Sequence, residues 1–133
     1  MNALIIGAGK IGTSVAKYMA EKGHKVSIIE KNETACEGFE QMKDVTLYCG
    51  DGCDPSILEK AGIKIADVVV AVTGDDEDNL VVAQLSKLQP NMPRVVSIIN
   101  HPKNEWLFNK KWGVDAAESP TSVISKLIEK DIK

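Results

Sequence analysis

The stretch from Asn2 to Gly12 constrains this chain more than any other. An apolar run, Leu4 to Ile6, reads as a short buried strand, enters a glycine turn and continues into a helical pattern. The spacing Gly7-x-Gly9-x-x-Gly12 is the fingerprint of a loop that meets a dinucleotide. Gly7 permits the tight turn, Gly9 lets a pyrophosphate approach the backbone, and Gly12 lets helix and strand pack closely. The helix that follows points free amides and its positive dipole end at the phosphates. Glu30 closes the next strand eighteen residues beyond Gly12, where a carboxylate can accept hydrogen bonds from ribose hydroxyls.

The rest of the chain repeats the alternation of strand and helix. A helix is expected over Ile11 to Lys22, stopped by Gly23, and a second strand over Lys25 to Glu30. Asn32 caps a helix to about Met42, and Val45 to Cys49 is the third strand. Asp54 and Pro55 open a helix that ends at Gly62. Ala66 to Val72 is apolar without alternation, as a parallel strand covered on both faces must be. A helix from Gly74–Asp78 to the break at Pro90, a fifth strand over Arg94 to Ile99 and a short helix over Asn104 to Lys111 follow. Asp115 to Glu118 makes a sixth strand, and Ser119-Pro120 opens a last amphipathic helix. The pattern predicts an α/β, Rossmann-like doubly wound parallel sheet of six strands, in the order 3-2-1-4-5-6.

Bulk properties narrow the function. A chain of 133 residues suits one domain with a single core. A net charge of -3 argues against general nucleic-acid binding, and no apolar run is long enough to span a membrane. Cys36, Cys49 and Cys53 are odd in number and unframed, so they read as reduced thiols, with no second pair for a zinc site.

Several side chains are placed to carry chemistry. Glu30 is either a ribose acceptor or a solvated acid at a strand end. As an acceptor it would repel a 2′-phosphate, favouring NAD or plain adenine nucleotides over NADP, and Lys31 would partly offset that repulsion. Lys10 either folds over phosphates or is an exposed loop lysine. Asp51 and Cys53 either border an adenine ring or simply build a turn. Thr73 and Gly74 end the fourth strand at the crevice where the strand order reverses. Asp75-Asp76-Glu77-Asp78 complements a helix dipole or, alternatively, holds a divalent cation. His24 and His101 lie in loops with no nucleophile constellation around them.

Over its whole length the chain resembles the N-terminal nucleotide-binding lobe of the Trk/Ktr potassium-uptake regulators, the RCK or KTN domain. The resemblance rests on the glycine fingerprint, Glu30, Gly50-Asp51, and Leu58-x-x-Ala61-Gly62-Ile63 followed by Ala66-Asp67. Ala71-Val72-Thr73-x-x-Asp76-Glu77-x-Asn79, Gly113-Val114-Asp115 and Ser119-Pro120 complete it. Glu30, Cys53 and Ile98 depart from the commoner aspartate, serine or threonine, and arginine. The resemblance implies a non-enzymatic, cytoplasmic subunit or domain at the inner face of the membrane. It would bind NAD or NADH, or ATP, ADP or AMP, and gate a membrane potassium transporter or channel subunit. It implies Gly7, Gly9, Lys10, Ile11 and Gly12 for phosphates and Glu30 for ribose, with Asp51, Cys53, Thr73 and Gly74 around the base or second nucleoside. It also implies a homodimer or higher ring, with residues 119–133 a terminal helix for assembly. Many relatives continue into a second lobe, so the chain reads as a piece of such a protein or as a single-lobe subunit. The alternatives are the cofactor domain of an NAD-dependent oxidoreductase and a nucleotide-stabilised scaffold.

Overall fold

The computed structural model describes residues 1–132; Lys133, the end of the segment expected to serve assembly, lies outside the described residues. Six strands, β1 (Asn2–Ile6), β2 (Lys25–Glu30), β3 (Val45–Cys49), β4 (Val68–Ala71), β5 (Arg94–Ile98) and β6 (Ala116–Glu118), alternate with five helices. The helices are α1 (Lys10–Glu21), α2 (Glu33–Glu37), α3 (Pro55–Lys60), α4 (Asp76–Lys87) and α5 (Pro120–Ile132). The strands form one parallel sheet in the order β3-β2-β1-β4-β5-β6.

Side-chain alternation in the strands divides the core into two layers. Leu4, Ile6, Ile29, Val69 and Val95 face Leu58 of α3 and Val82 of α4. Ala3, Ile5, Val26 and Ile28 face Ala16 and Met19 of α1. The central strands are therefore apolar at nearly every position, because each is covered on both sides. Register fixes where function can sit. Ile6 of β1 lies level with Ile29 of β2 and Ala71 of β4, so the residues just beyond these three ends converge on one edge. That edge is the point where the chain leaves β1 in one direction and β4 in the other.

Three expectations are corrected. The helix expected from Asn32 to about Met42 stops at Glu37, with Gly38 as its C-cap, and the chain then folds back so that Phe39 and Met42 pack against the core. The helix expected over Asn104 to Lys111 is two 3-10 turns, Pro102–Leu107 and Lys110–Trp112, split where Phe108 turns inward and is buried. The three cysteines are not all free: Cys36 and Cys49 are joined as a disulfide, leaving Cys53 as the free thiol. None of the residues of α5 is buried, and Ile124, Leu127 and Ile128 are more than half exposed, at 55%, 55% and 52%.

Candidate functional site

The glycine turn takes its shape from backbone sterics. Gly7 has φ +109°, and a Cβ there would lie 2.9 Å from the Val72 carbonyl oxygen. Its N–H donates to the Ile29 carbonyl at 2.8 Å, which pins the turn to β2. Gly12 is buried in α1, and any Cβ on it would overlap the Gly7 carbonyl. Helix and turn are thus in direct backbone contact. Gly9 is different. Its φ of -77° suits any residue, and a Cβ there would meet nothing within 4 Å. It is the N-cap of α1 and supplies no side-chain cap, so the first-turn amides of that helix have no side-chain acceptor. A helix start of this kind leaves amides and the positive dipole end free to meet an anion.

Glu30 ends β2 beside this turn. Its Oε1 accepts from the Ala8 N–H at 2.8 Å and its Oε2 from the Asn32 N–H at 2.9 Å. The carboxylate is held by two backbone amides, with lone pairs left over for a ligand.

A cleft of about 400 Å³ opens over the ends of β1, β2 and β4. Of the residues singled out by sequence, Gly7, Gly9, Glu30, Lys31, Asp51, Cys53, Thr73 and Gly74 line it. Lys10 and Ile11 do not. They are the first two residues of α1, both exposed, and the Ile11 side chain borders an apolar trough instead. Gly12 lies beneath the turn rather than in the cleft.

Electrostatics at the cleft are set by residues far apart in sequence. Lys31 pairs with Asp78 of α4 at 3.0 Å, and this hydrogen bond and charge raise the Lys31 pKa above the usual lysine value. The Lys31 ammonium thus sits at the cleft wall against Asp78, with its side chain 59% exposed. Asp51 Oδ1 accepts from the Cys53 N–H at 2.9 Å, a turn-stabilising bond. Burial, reinforced by the nearby Asp78 and Asp51, pushes the Cys53 thiol up to about 11, so it stays protonated at neutral pH. Thr73 Oγ1 donates to Asn79 Oδ1 at 2.7 Å, and the Thr73 N–H reaches the same oxygen at 3.1 Å. Asn79 is wholly buried and in turn donates to the Thr73 carbonyl, so it clamps the end of β4 to α4.

The acidic run divides its work. Asp75 caps α4, accepting from the Glu77 and Asp78 N–H groups at 2.9 and 3.1 Å. Asp76 is 6% exposed and accepts from the Asn100 and His101 N–H groups at 2.7 and 3.0 Å and from the Asn104 side chain at 2.9 Å. Burial alone would raise its pKa, but these hydrogen bonds outweigh burial and the carboxyl titrates below the usual range. Asp78 faces Lys31. Among the described residues no group of three or more His, Cys, Asp or Glu side chains is arranged to hold a metal ion.

Sequence reasoning missed Asp75 and Asp78 as cleft residues, and Gly52 and Val72 with them. Asp78 carries no local signal, because its partner Lys31 is 47 positions away.

The strand order, the glycine turn and the acid at the end of β2 define a Rossmann-type α/β domain. Residues 3–120 match the model of the TrkA-N domain, and the chain belongs to that family. It is 40% identical over 132 residues to the Trk system potassium uptake protein TrkA of Mycobacterium tuberculosis, covering 99% of this chain and 60% of that protein. It is 36% identical over 130 residues to a TrkA homolog of Methanothermobacter thermautotrophicus, covering 98% of this chain and 59% of that one. The chain thus spans about three-fifths of the length of these relatives. Among solved structures it superposes on the GsuK RCK domain with a TM-score of 0.78 at 25% identity, over 96% of this chain and 27% of that one. The GsuK channel bound to NAD matches with a TM-score of 0.75 at 15% identity, over 88% of this chain and 21% of that one, a likeness of fold.

Proposed function

We propose that this chain is the nucleotide-sensing part of a potassium-uptake regulator and is not itself an enzyme. One observation carries the reading: a single cleft brings together a glycine turn, a helix start without a side-chain cap and a carboxylate at the end of β2. In that cleft the pyrophosphate or phosphates of NAD, NADH, ATP, ADP or AMP lie over Gly7 and Gly9 and accept from the amides of Lys10, Ile11 and Gly12. Lys10 and Ile11 act through their backbone, since their side chains lie outside the cleft. Glu30 accepts from the ribose hydroxyls. Asp51, Cys53, Thr73 and Gly74 border the base or the second nucleoside, and Lys31 closes that wall through Asp78.

Membership of the TrkA-N family and a channel of this fold bound to NAD support the reading. The chain works at the cytoplasmic face of the membrane against a potassium transporter or channel subunit. No helix among the described residues is long and apolar enough to cross the membrane itself. The unburied apolar residues of α5 join copies of the domain into a homodimer or ring, and ligand-dependent rearrangement of those copies reaches the transporter. The energy for such a switch is the difference in nucleotide affinity between two arrangements.

Titration calorimetry with NAD and ADP tests the site. Glu30→Ala should weaken binding by about 1–3 kcal/mol, the range for losing a charged acceptor. Unchanged affinity for both nucleotides in that variant would sink the assignment.

A further inference from the structure

We propose that Cys36 and Cys49 form a thiol–disulfide exchange site that sets the affinity of the adjoining cleft, with small-molecule disulfides as its reactants. The inference rests on the reading of that cleft as the nucleotide site.

The pair sits where a covalent bond has leverage on Glu30. Cys49 is the last residue of β3 and is level with Glu30 in the sheet. Cys36 lies in α2, with its Sγ 3.3 Å from the Glu30 carbonyl oxygen. The bond therefore lies against the end of β2, joining α2 to the neighbouring strand. Between Glu30 and Cys36 stands Asn32, which has two tasks. Its N–H holds Glu30 Oε2 at 2.9 Å, and its side chain caps α2 by accepting from the Ala35 N–H at 2.9 Å. Whatever fixes α2 therefore fixes one of the two amides that orient the carboxylate.

α2 adds little of its own: it is five residues long and has no buried residue, and apart from the disulfide its anchors are Asn32 before it and Phe39 and Met42 after it. A helix so short does not hold itself together in water. The disulfide ties it to the edge strand of the sheet, and cutting that tether loosens α2 and, through the cap, the placement of Asn32 against Glu30.

The pair is also open to exchange. Cys49 is exposed and Cys36 half-buried. Starting from two thiols, the Cys49 thiolate attacks one sulfur of a small disulfide and releases one small thiol. The Cys36 thiolate then attacks Cys49 Sγ, forming the protein disulfide and releasing the second small thiol. Two protein thiols are oxidised, one small disulfide is reduced, and the two protons leave with the released thiols. Exposed disulfides are the ones that take part in such exchange. Cys53 is a poor competitor, because its thiol is held protonated.

The test uses the full chain, either reduced with a phosphine or treated with 2-hydroxyethyl disulfide. Alkylation followed by peptide mass mapping reads the state of Cys36 and Cys49, and calorimetry reads ADP and NAD affinity. The disulfide form is expected to bind at least about fivefold more tightly than the dithiol form, the lower end of typical coupling between sites. Cys36→Ser and Cys49→Ser, two independent single variants, cannot close the intramolecular bond: 2-hydroxyethyl disulfide leaves each with at most a mixed disulfide that the phosphine removes, and their reduced forms should match the reduced wild type in affinity. Equal affinity in the two states, or tighter binding by the dithiol form, overturns the coupling and leaves the cleft assignment standing. Failure of both forms to bind either nucleotide overturns the cleft assignment and the coupling with it. Free thiols at Cys36 and Cys49 after treatment overturn the exchange site itself.

Discussion

The starts of α1 and α4 make a natural pair for comparison. Each helix has 12 residues and each follows one of two neighbouring strands, β1 and β4, at the same edge of the sheet. Their amides are treated in opposite ways. At α1 the cap is Gly9, with no side chain to accept from the first turn. At α4 the cap is Asp75, which takes two of those amides itself. The next residue, Asp76, then reaches across to Asn100, His101 and Asn104. The same helix dipole is thus left open to an external anion at one strand end and satisfied from within at the other. A glycine-rich start is poorly stabilised by its own sequence, and that is what makes it available. An acid-rich start is a structural joint, however much its composition looks like a binding site.

The largest expected effect separates the two glycines of the open start. Gly12→Ala drives a Cβ into the Gly7 carbonyl, where neither partner is a movable side chain. It should destabilise the fold by about 3 kcal/mol or more, read as a drop in denaturation midpoint. Gly9→Val has open space for its side chain and should leave the midpoint nearly unchanged, while ligand-induced thermal stabilisation disappears. If the two variants behave alike, the division of labour within the turn is wrong.

The second effect belongs to the closed start. Asp76→Ala leaves the Asn100 and His101 amides without their acceptor and should cost about 2–3 kcal/mol in urea unfolding. The pH dependence has a definite sign. Because the folded pKa of Asp76 is depressed, its contribution is present above the unfolded carboxylate value of about 3.9 and fades as pH falls through the lower folded value. The gap between wild type and variant should therefore be constant near neutrality and narrow in acid. A gap that is the same at pH 3 and pH 7 would refute the role of the ionised form.

The smallest effect is that of the cap. Asp75→Ala should cost about 1 kcal/mol in stability. By contrast, Gly9→Asp supplies α1 with the acceptor that α4 already has. It should compete with an anionic ligand, measured as weaker ADP binding in the same calorimeter. Unaltered binding would mean that the α1 amides are not where the phosphates go.

What could be read from the sequence follows the same contrast. Contiguous features were legible. The continuous apolar run of β4, the glycine spacing and the acid at the end of β2 each report local geometry, and the sheet order follows from their alternation. Cleft residues next to strand ends, such as Thr73 and Gly74, were placed by that logic. Features made by distant partners were not. Nothing near Asp76 marks it as the anchor of a segment 24 or more positions away. The Cys36–Cys49 bond spans a separation of 13, which resembles no framework, and an odd cysteine count pointed the other way. Helix ends failed where the core reclaimed the chain: Phe39 and Met42 turn back toward the sheet, and Phe108 interrupts a helical run.

The hold of Ala8 and Asn32 on Glu30 has a consequence for how selectively the cleft can discriminate. A glutamate side chain gives up about 1.5–2 kcal/mol of rotamer freedom when it is immobilised. Here the two amides impose that loss during folding, before any ligand arrives. On the proposed reading of the cleft, a ribose would meet an acceptor whose position is already decided, and little of the interaction would be diverted into ordering the protein. On that reading the same rigidity would work against ligands that do not fit, because a carboxylate held at both oxygens by backbone amides would not swing aside for a bulky or anionic group at the ribose 2′ position.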